Sequence, residues 1–341
     1  TTRPEDVTAV RDPRDWHQLI DRLRRPPDGR WRGLFLTFEA CCAAGGIDGP
    51  SPPSDWGAAG ATWTGALGEE PIDWQALRAN WEVCIDQPTY RQRFDLLQQA
   101  IRAGEVYQLN LTVRARASAA EAQTAVVPPI APAAGRLCLP DAGLNLISHS
   151  PECLLELDGL GAVVSRPIKG TCSDPTMFSQ LRTSAKEQAE HTMVVDMARN
   201  DLGRICQPGT VRVSPRCAPL DLPYATHMVS DVRGRLRNGV GVADALRAVL
   251  PGASVTGTPK IRACQMIAEL EQMPRGPYTG ILGAILPDGR AFFSLLIRTA
   301  WRDTDGNWWY GTGGGIVADS DCDAEYQELL LKLHPVRGAT G

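Results

Sequence analysis

Three short runs, 144–148, 153–157 and 162–166, read as successive strands, with Ser148-His-Ser-Pro-Glu152 as the turn between the first two. Pro287-Asp-Gly-Arg290 between the apolar runs 279–287 and 291–301 is a hairpin signal, and a second turn at Asp303–Gly306 leads into 307–311. Further strands are expected at 33–39, 105–112, 210–214 and 227–236. Helices interrupt this series in runs, not one after each strand. Trp16, Leu19, Ile20 and Leu23 predict a short amphipathic helix; Tyr90, Phe94, Leu97 and Ile101 predict a longer one that ends at Gly104. Ser184 and Glu187, at capping-box spacing, open a helix over 184–199. Thr258-Pro259 opens another, with Ile261, Cys264, Ile267 and Ala268 on one face, and 323–334 closes the chain. Hairpin-connected strands with helices in runs imply an α+β fold with antiparallel sheets, not a doubly wound parallel one.

The 341 residues suffice for one large core. Residues 1–85 are weakly patterned and read as a scaffold segment of the same body, with 86–341 as the catalytic core; 43–60 and 115–135 read as loops. A net charge of −4 without a basic cluster argues against nucleic acid as a partner. No apolar run approaches the roughly 18 residues of a membrane span. The N-terminal residues lack the pattern of a signal peptide. The ten cysteines are scattered and lack zinc-ligand spacing, so reduced thiols in a cytoplasmic protein are expected.

Chemistry concentrates in a few places. Lys169 stands in Arg166-Pro-Ile-Lys-Gly-Thr171, just after the apolar run 162–165, and Gly170 removes bulk beside it. Among apolar neighbours such a lysine loses hydration and is poised as a nucleophile; the same six residues also fit a surface turn. Glu187 and Glu190 are three apart on one helix, Glu325 and Glu328 on another, and Lys332 is four beyond Glu328. Two such pairs could hold Mg²⁺ beside an anionic substrate, or be two solvated helix faces. Gly311-Thr-Gly-Gly-Gly-Ile316 matches neither a dinucleotide fingerprint nor a phosphate loop; as a turn it would make an anion-binding nest or a plain tight turn. Arg298, in an apolar strand with residues 292–297, needs an anion or another partner if buried, or is a snorkelling edge arginine. His227 reads as a structural histidine or a base, and Glu152 as an acid or a turn residue.

Residues from about 88 to 335 resemble the chorismate-utilising enzymes. The matching stretches are 104–110, 150–152, 166–171, 187–201, 226–230, 252–262, 275–280, 297–299 and 311–332. The family's α+β fold has a β-sandwich-like core with helices outside. The resemblance implies Mg²⁺ held by Glu187, Glu190, Glu325 and Glu328, with Gly170 and Thr171 at the ring carboxylate. It also implies Tyr278, Arg298, the Gly313, Gly314 and Gly315 backbone and Lys332 at the enolpyruvyl carboxylate, and His227 along the ring. Lys169 stands where the aminodeoxychorismate-forming branch carries a nucleophilic lysine, with Glu152 as general acid. Gln108 stands where water-adding members carry a basic lysine. The implied reaction converts chorismate and ammonia to 4-amino-4-deoxychorismate, on the way to 4-aminobenzoate and folate. With no Gly-x-Cys-x-Gly glutaminase elbow in the sequence, ammonia is expected from a separate glutamine amidotransferase or from solution. Anthranilate formation, or a non-catalytic partner subunit, are the competing readings.

Overall fold

The computed structural model describes residues 5–23, 29–47, 57–65, 75–118, 123–126, 135–172, 174–222 and 225–333. Its helices are α1 (Trp16–Leu23), α2 (Phe38–Ala44), α3 (Gln87–Arg102), α4 (Phe178–Thr183), α5 (Ala185–Gly203), α6 (Val242–Val249), α7 (Lys260–Glu271) and α8 (Cys322–Leu331). Nine strands form the first sheet in the order Glu5–Val10, Gly60–Gly65, Trp31–Leu36, Ile281–Ile285, Arg290–Leu295, Cys153–Asp158, Ala162–Arg166, Val232–Arg235 and Arg212–Val213. The second runs Gly257–Thr258, Gln108–Ala117, Trp308–Ile316, Thr299–Arg302, Leu144–Ser148 and Gly135–Leu139, with Glu82–Val83 also pairing Gln108–Ala117. A three-stranded sheet orders Ile168–Cys172, Ala225–Val229 and Ala218–Leu222, and Gln75–Arg78 pairs Gln123–Val126. Pairing between these strands is antiparallel, as expected of an α+β chain built from hairpins.

The two large sheets sandwich one apolar layer and carry helices outside it. Strand alternation does this residue by residue. Leu34 and Leu36 turn outward to meet Leu19 and Ile20 of α1, Val195 and Leu202 of α5 and Leu246 of α6. Phe35, between them, turns inward to Trp63, Leu146, Tyr278, Leu296 and Trp301. On the outer face of the second sheet, α3, α7 and α8 bury Tyr90, Phe94, Ile267, Tyr326 and Leu329 against Leu109 and Leu111. Each such large side chain contributes about 1.5–3 kcal/mol by burial. Strands from before residue 86 lie inside the first sheet, next to Ile281–Ile285.

Several boundaries differ from expectation, each for a local reason. The strand expected over 33–39 ends at Leu36, because the Thr37 side chain accepts from the Ala40 amide at 3.3 Å and caps α2. The run 227–236 is two strands, Ala225–Val229 and Val232–Arg235, belonging to different sheets. Residues 148–152 are likewise not a hairpin turn but a passage from one large sheet to the other. Pro259, not Thr258, is the cap of α7, and Ile261 is 62% exposed instead of lining the buried face. In 115–135 the first strand runs on to Ala117 and 123–126 is a strand; 119–122 and 127–134 lie outside the described residues, as does residue 334. All ten cysteines are free thiols.

Candidate active site

The chain crosses between the large sheets twice, side by side. Thr299 pairs with Ser148 in one sheet and Cys153 with Ser294 in the other. Between these pairs the crossings are tied together: the His149 amide donates to the Arg298 carbonyl at 3.0 Å and the Leu295 amide to the Glu152 carbonyl at 3.1 Å. Arg298 therefore sits at a crossing and not inside a strand, and takes a left-handed φ of 50°. For a non-glycine residue that conformation costs about 1–2 kcal/mol, a sign that the surroundings impose it.

Glu152 occupies the other crossing and is 4% exposed. Its Oε1 accepts the Ser254 hydroxyl hydrogen at 2.5 Å. Burial pushes the carboxyl up to about 7, although Ser254, the Ile168 amide and the charge of Lys169 pull it back.

Lys169 lies in the strand Ile168–Cys172, where pairing with Ala225–Val229 is irregular between Ile168 and Thr171 and Gly170 has φ 84°. The surroundings are not apolar. Nζ of Lys169 stands 3.0 Å from Glu190 Oε2, because α5 lies across the strand. A Cβ on Gly170 would be 2.9 Å from Glu187 Oε2, so the glycine gives α5 this close approach. A Cβ on Gly315 would lie 2.5 Å from Gln108 Nε2 and 2.9 Å from Lys169 Nζ, which brings these three residues to one point. Opposite in register, the Thr171 hydroxyl and His227 Nδ1 are 2.9 Å apart. His227 is buried, and burial with the nearby Arg298 charge lowers its pKa to about 4, so the ring is neutral at physiological pH.

The glycine run is not a turn. Residues 311–316 form the second half of the strand Trp308–Ile316, with Gly313 opposite Thr112, Gly314 opposite Leu111 and Gly315 opposite Asn110. In an antiparallel strand the amide and carbonyl of one residue face the same edge. The Thr112 amide goes to Glu271 at 3.0 Å and the Asn110 amide to the Thr256 carbonyl at 2.7 Å, both away from the glycines. Gly313 and Gly315 therefore turn their amides to the opposite, open edge, while the Gly314 amide faces the ladder. Lys332 marks that edge by donating to the Gly313 carbonyl at 2.7 Å. A row of main-chain N–H groups thus replaces the expected nest.

Glu187 and Glu190 on α5 and Glu325 and Glu328 on α8 close the other side. Burial raises the Glu187 carboxyl and the neighbouring Glu190 raises it further; burial raises Glu325, with Glu328 adding to it. Burial also works against Glu328, but Lys332 at 2.9 Å holds it below the usual carboxylate range. Among the described residues no three side chains form a ready ligand set. The donors are hard carboxylate oxygens of the kind Mg²⁺ takes, and within each pair the two carboxylates repel each other. A Cβ on Gly314 would approach Glu325 Oε2 to 2.9 Å, so this strand passes directly beside α8. Tyr278 is packed in the layer between the sheets with its ring against Gly311.

The structure thus gathers Lys169, Gly170, Glu187, Glu190 and Gly315 in one place, with Glu152 within electrostatic reach of the lysine. Two further groups gave no separate signal in the sequence. Ser254 lies in the stretch 252–262 without a motif of its own. Arg275, 1% exposed, pairs with Glu271 at 2.7 Å; only their i, i+4 spacing hinted at it.

Residues 37–338 match the family model described as chorismate binding enzyme. Anthranilate synthase component 1 1 of Haloarcula marismortui is 35% identical over 331 residues, covering 92% of this chain and 67% of the relative. Aminodeoxychorismate synthase component 1 of Salmonella typhimurium is 36% identical over 276 residues, covering 76% and 60%. The chain thus spans about two thirds or less of the length of these relatives. The fold is that of anthranilate synthase component I from Streptococcus pneumoniae, at a TM-score of 0.79 and 23% identity, with 94% of this chain and 85% of that one covered. The menaquinone-specific isochorismate synthase of Escherichia coli superposes at a TM-score of 0.71 and 19% identity over 96% and 83% of the two chains. With a family model spanning most of its length and relatives above a third identical, the chain belongs to the chorismate-binding enzymes.

Proposed function

We propose that the chain acts as an aminodeoxychorismate synthase component I, aminating chorismate at C4 with ammonia delivered by a glutamine amidotransferase partner. The observation that carries this reading is the place of Lys169, with Nζ beside Glu190 and the Gln108 amide and within the field of Glu152. Lys169 parts from Glu190, loses a proton to solvent and attacks C2 through Nζ as the neutral amine, leaving an ammonium bonded to C2. Both ring double bonds shift, C1=C2 to C1=C6 and C5=C6 to C4=C5, and the C4–O bond breaks as Glu152 passes its proton to the leaving hydroxyl, which departs as water. Ammonia then bonds to C4, both double bonds return to C5=C6 and C1=C2, the C2–N bond breaks to free Lys169 as the neutral amine, and a proton from ammonia restores Glu152. Gly170 and Thr171 would hold the ring carboxylate, with neutral His227 along the ring. Arg298, Tyr278, Lys332 and the Gly313 and Gly315 amides would hold the enolpyruvyl carboxylate. Mg²⁺, when held by Glu187, Glu190, Glu325 and Glu328, would supply charge neutralisation to a substrate carboxylate. Gln108 has no basic nitrogen with which to activate water, so it disfavours the isochorismate reaction.

A second reading, anthranilate formation, is kept because relatives of that name are as similar as those named for aminodeoxychorismate. Incubation with chorismate, Mg²⁺ and ammonium separates them. Anthranilate fluoresces directly, whereas aminodeoxychorismate gives 4-aminobenzoate only after an added lyase; chorismate binding without turnover in calorimetry would point to a non-catalytic subunit. Lys169→Ala is expected to abolish the covalent adduct in intact-mass spectra, and the same adduct in both proteins would remove the lysine from the mechanism.

A further inference from the structure

The stretch 252–262 holds its shape through contacts that the reaction above does not use. Ala253–Val255 form a single tight turn. The Thr256 hydroxyl closes it by donating to the Gly252 carbonyl at 2.9 Å, and buried Arg275 donates to the Val255 carbonyl at 2.7 Å. A side chain at Gly252 would strike Leu295, its Cβ 2.5 Å from Cδ2. Farther on, Lys260 fastens the segment to Asp201 at 2.7 Å and to the Val249 carbonyl at 3.2 Å. A turn tied at so many points presents the Ser254 hydroxyl in one direction, toward Glu152 Oε1.

We propose that Ser254 is the positioning residue of the acid: its hydroxyl hydrogen occupies Oε1 and confines the acidic hydrogen of Glu152 to the other oxygen. A neutral carboxyl carries its hydrogen on either oxygen, and only one placement suits a given leaving group. A fixed donor removes the choice. It also favours the carboxylate left after proton transfer, because hydrogen bonds to a charged oxygen are stronger than those to a neutral one. The other groups facing the carboxyl are Lys169 and the Ile168 amide, with Tyr278 more distant. Asp201 lines the same small pocket as Glu152, Ser254 and Ser165. A threonine at position 254 keeps the hydroxyl that Glu152 Oε1 accepts from.

The inference rests on Glu152 as the acid and not on which amine product forms, so the test follows chorismate consumption with ammonium across pH. Ser254→Ala is expected to lower kcat about tenfold, leave KM for chorismate within about twofold, and move the upper limb near pH 7 to higher pH. Ser254→Thr is expected to restore both. An unmoved limb in Ser254→Ala, or a loss confined to KM, overturns the proposal. If the wild type consumes no chorismate, the functional reading fails instead. The proposal is then decided by infrared titration of ¹³C-carboxyl protein, with Glu152→Gln identifying the band: a Glu152 carbonyl stretch identical in wild type and Ser254→Ala overturns it, and a shifted stretch upholds it.

Discussion

Two buried carboxyls, Glu39 and Glu152, are each pushed up to about 7 by burial from an ordinary value of 4.5. The folded state then binds a proton more tightly than the unfolded one. The stability this confers is complete below about 4.5 and is lost as pH rises through about 7, where folding must bury a charge. Glu152→Gln never ionises. Its stability relative to wild type is therefore expected to rise by up to about 3 kcal/mol between pH 5 and pH 8, read by calorimetry at the two pH values. An equal difference at both would contradict it. At this scale the sequence showed which side chain to watch, since Ser150-Pro-Glu152 stands out. It could not show the environment, because Ser254 and Ile168 reach the carboxyl, and Leu295 the Glu152 main-chain carbonyl, from remote positions. Lys169 teaches the same in reverse: apolar neighbours in sequence gave no warning of Glu190 in space.

Among elements, the strand Trp308–Ile316 departs most from what its composition suggests. Glycine favours turns, so four glycines in five residues read as one. Here the missing side chains make room for neighbours that only the fold brings near: the Tyr278 ring at Gly311, Glu325 at Gly314, and Gln108 with Lys169 at Gly315. The consequences differ by position. Gly311→Ala would put a Cβ 2.0 Å from the Tyr278 ring, which is locked in the core, and is expected to cost about 1–3 kcal/mol or more. Gly315→Ala meets only the tips of two flexible side chains, so it is expected to keep most of the stability and lose turnover by displacing Lys169. Thermal melts with chorismate-consumption assays test the pair, and the opposite ranking would refute this account. The helices were more legible, because α1, α3 and α5 carry caps or apolar stripes of their own. α2 and α4 are short, and packing more than pattern decides them.

Across the whole molecule, Arg275 joins parts that the chain keeps far apart. It pairs with Glu271 of α7 and donates to Asn110 in the second sheet at 2.6 Å and to Val255 beside Ser254, while its amide donates to Glu39 of α2 at 2.6 Å. Arg275→Ala would leave Glu271 charged and buried, and urea unfolding is expected to show a loss of about 3–5 kcal/mol. A loss below about 1 kcal/mol would mean that this junction is dispensable. The assignment of strands to sheets was the least legible feature, since 144–148 and 153–157 are neighbours in sequence yet lie in different sheets. The open edge at Gly313 and Gly315 bears on how such an enzyme can diverge. Donors made of main chain are present whatever residue other than proline is encoded, so only a change to proline deletes them. Under the proposed reading, a lineage that exchanges the side chains at 108 and 169 changes the incoming nucleophile and keeps these main-chain donors in place.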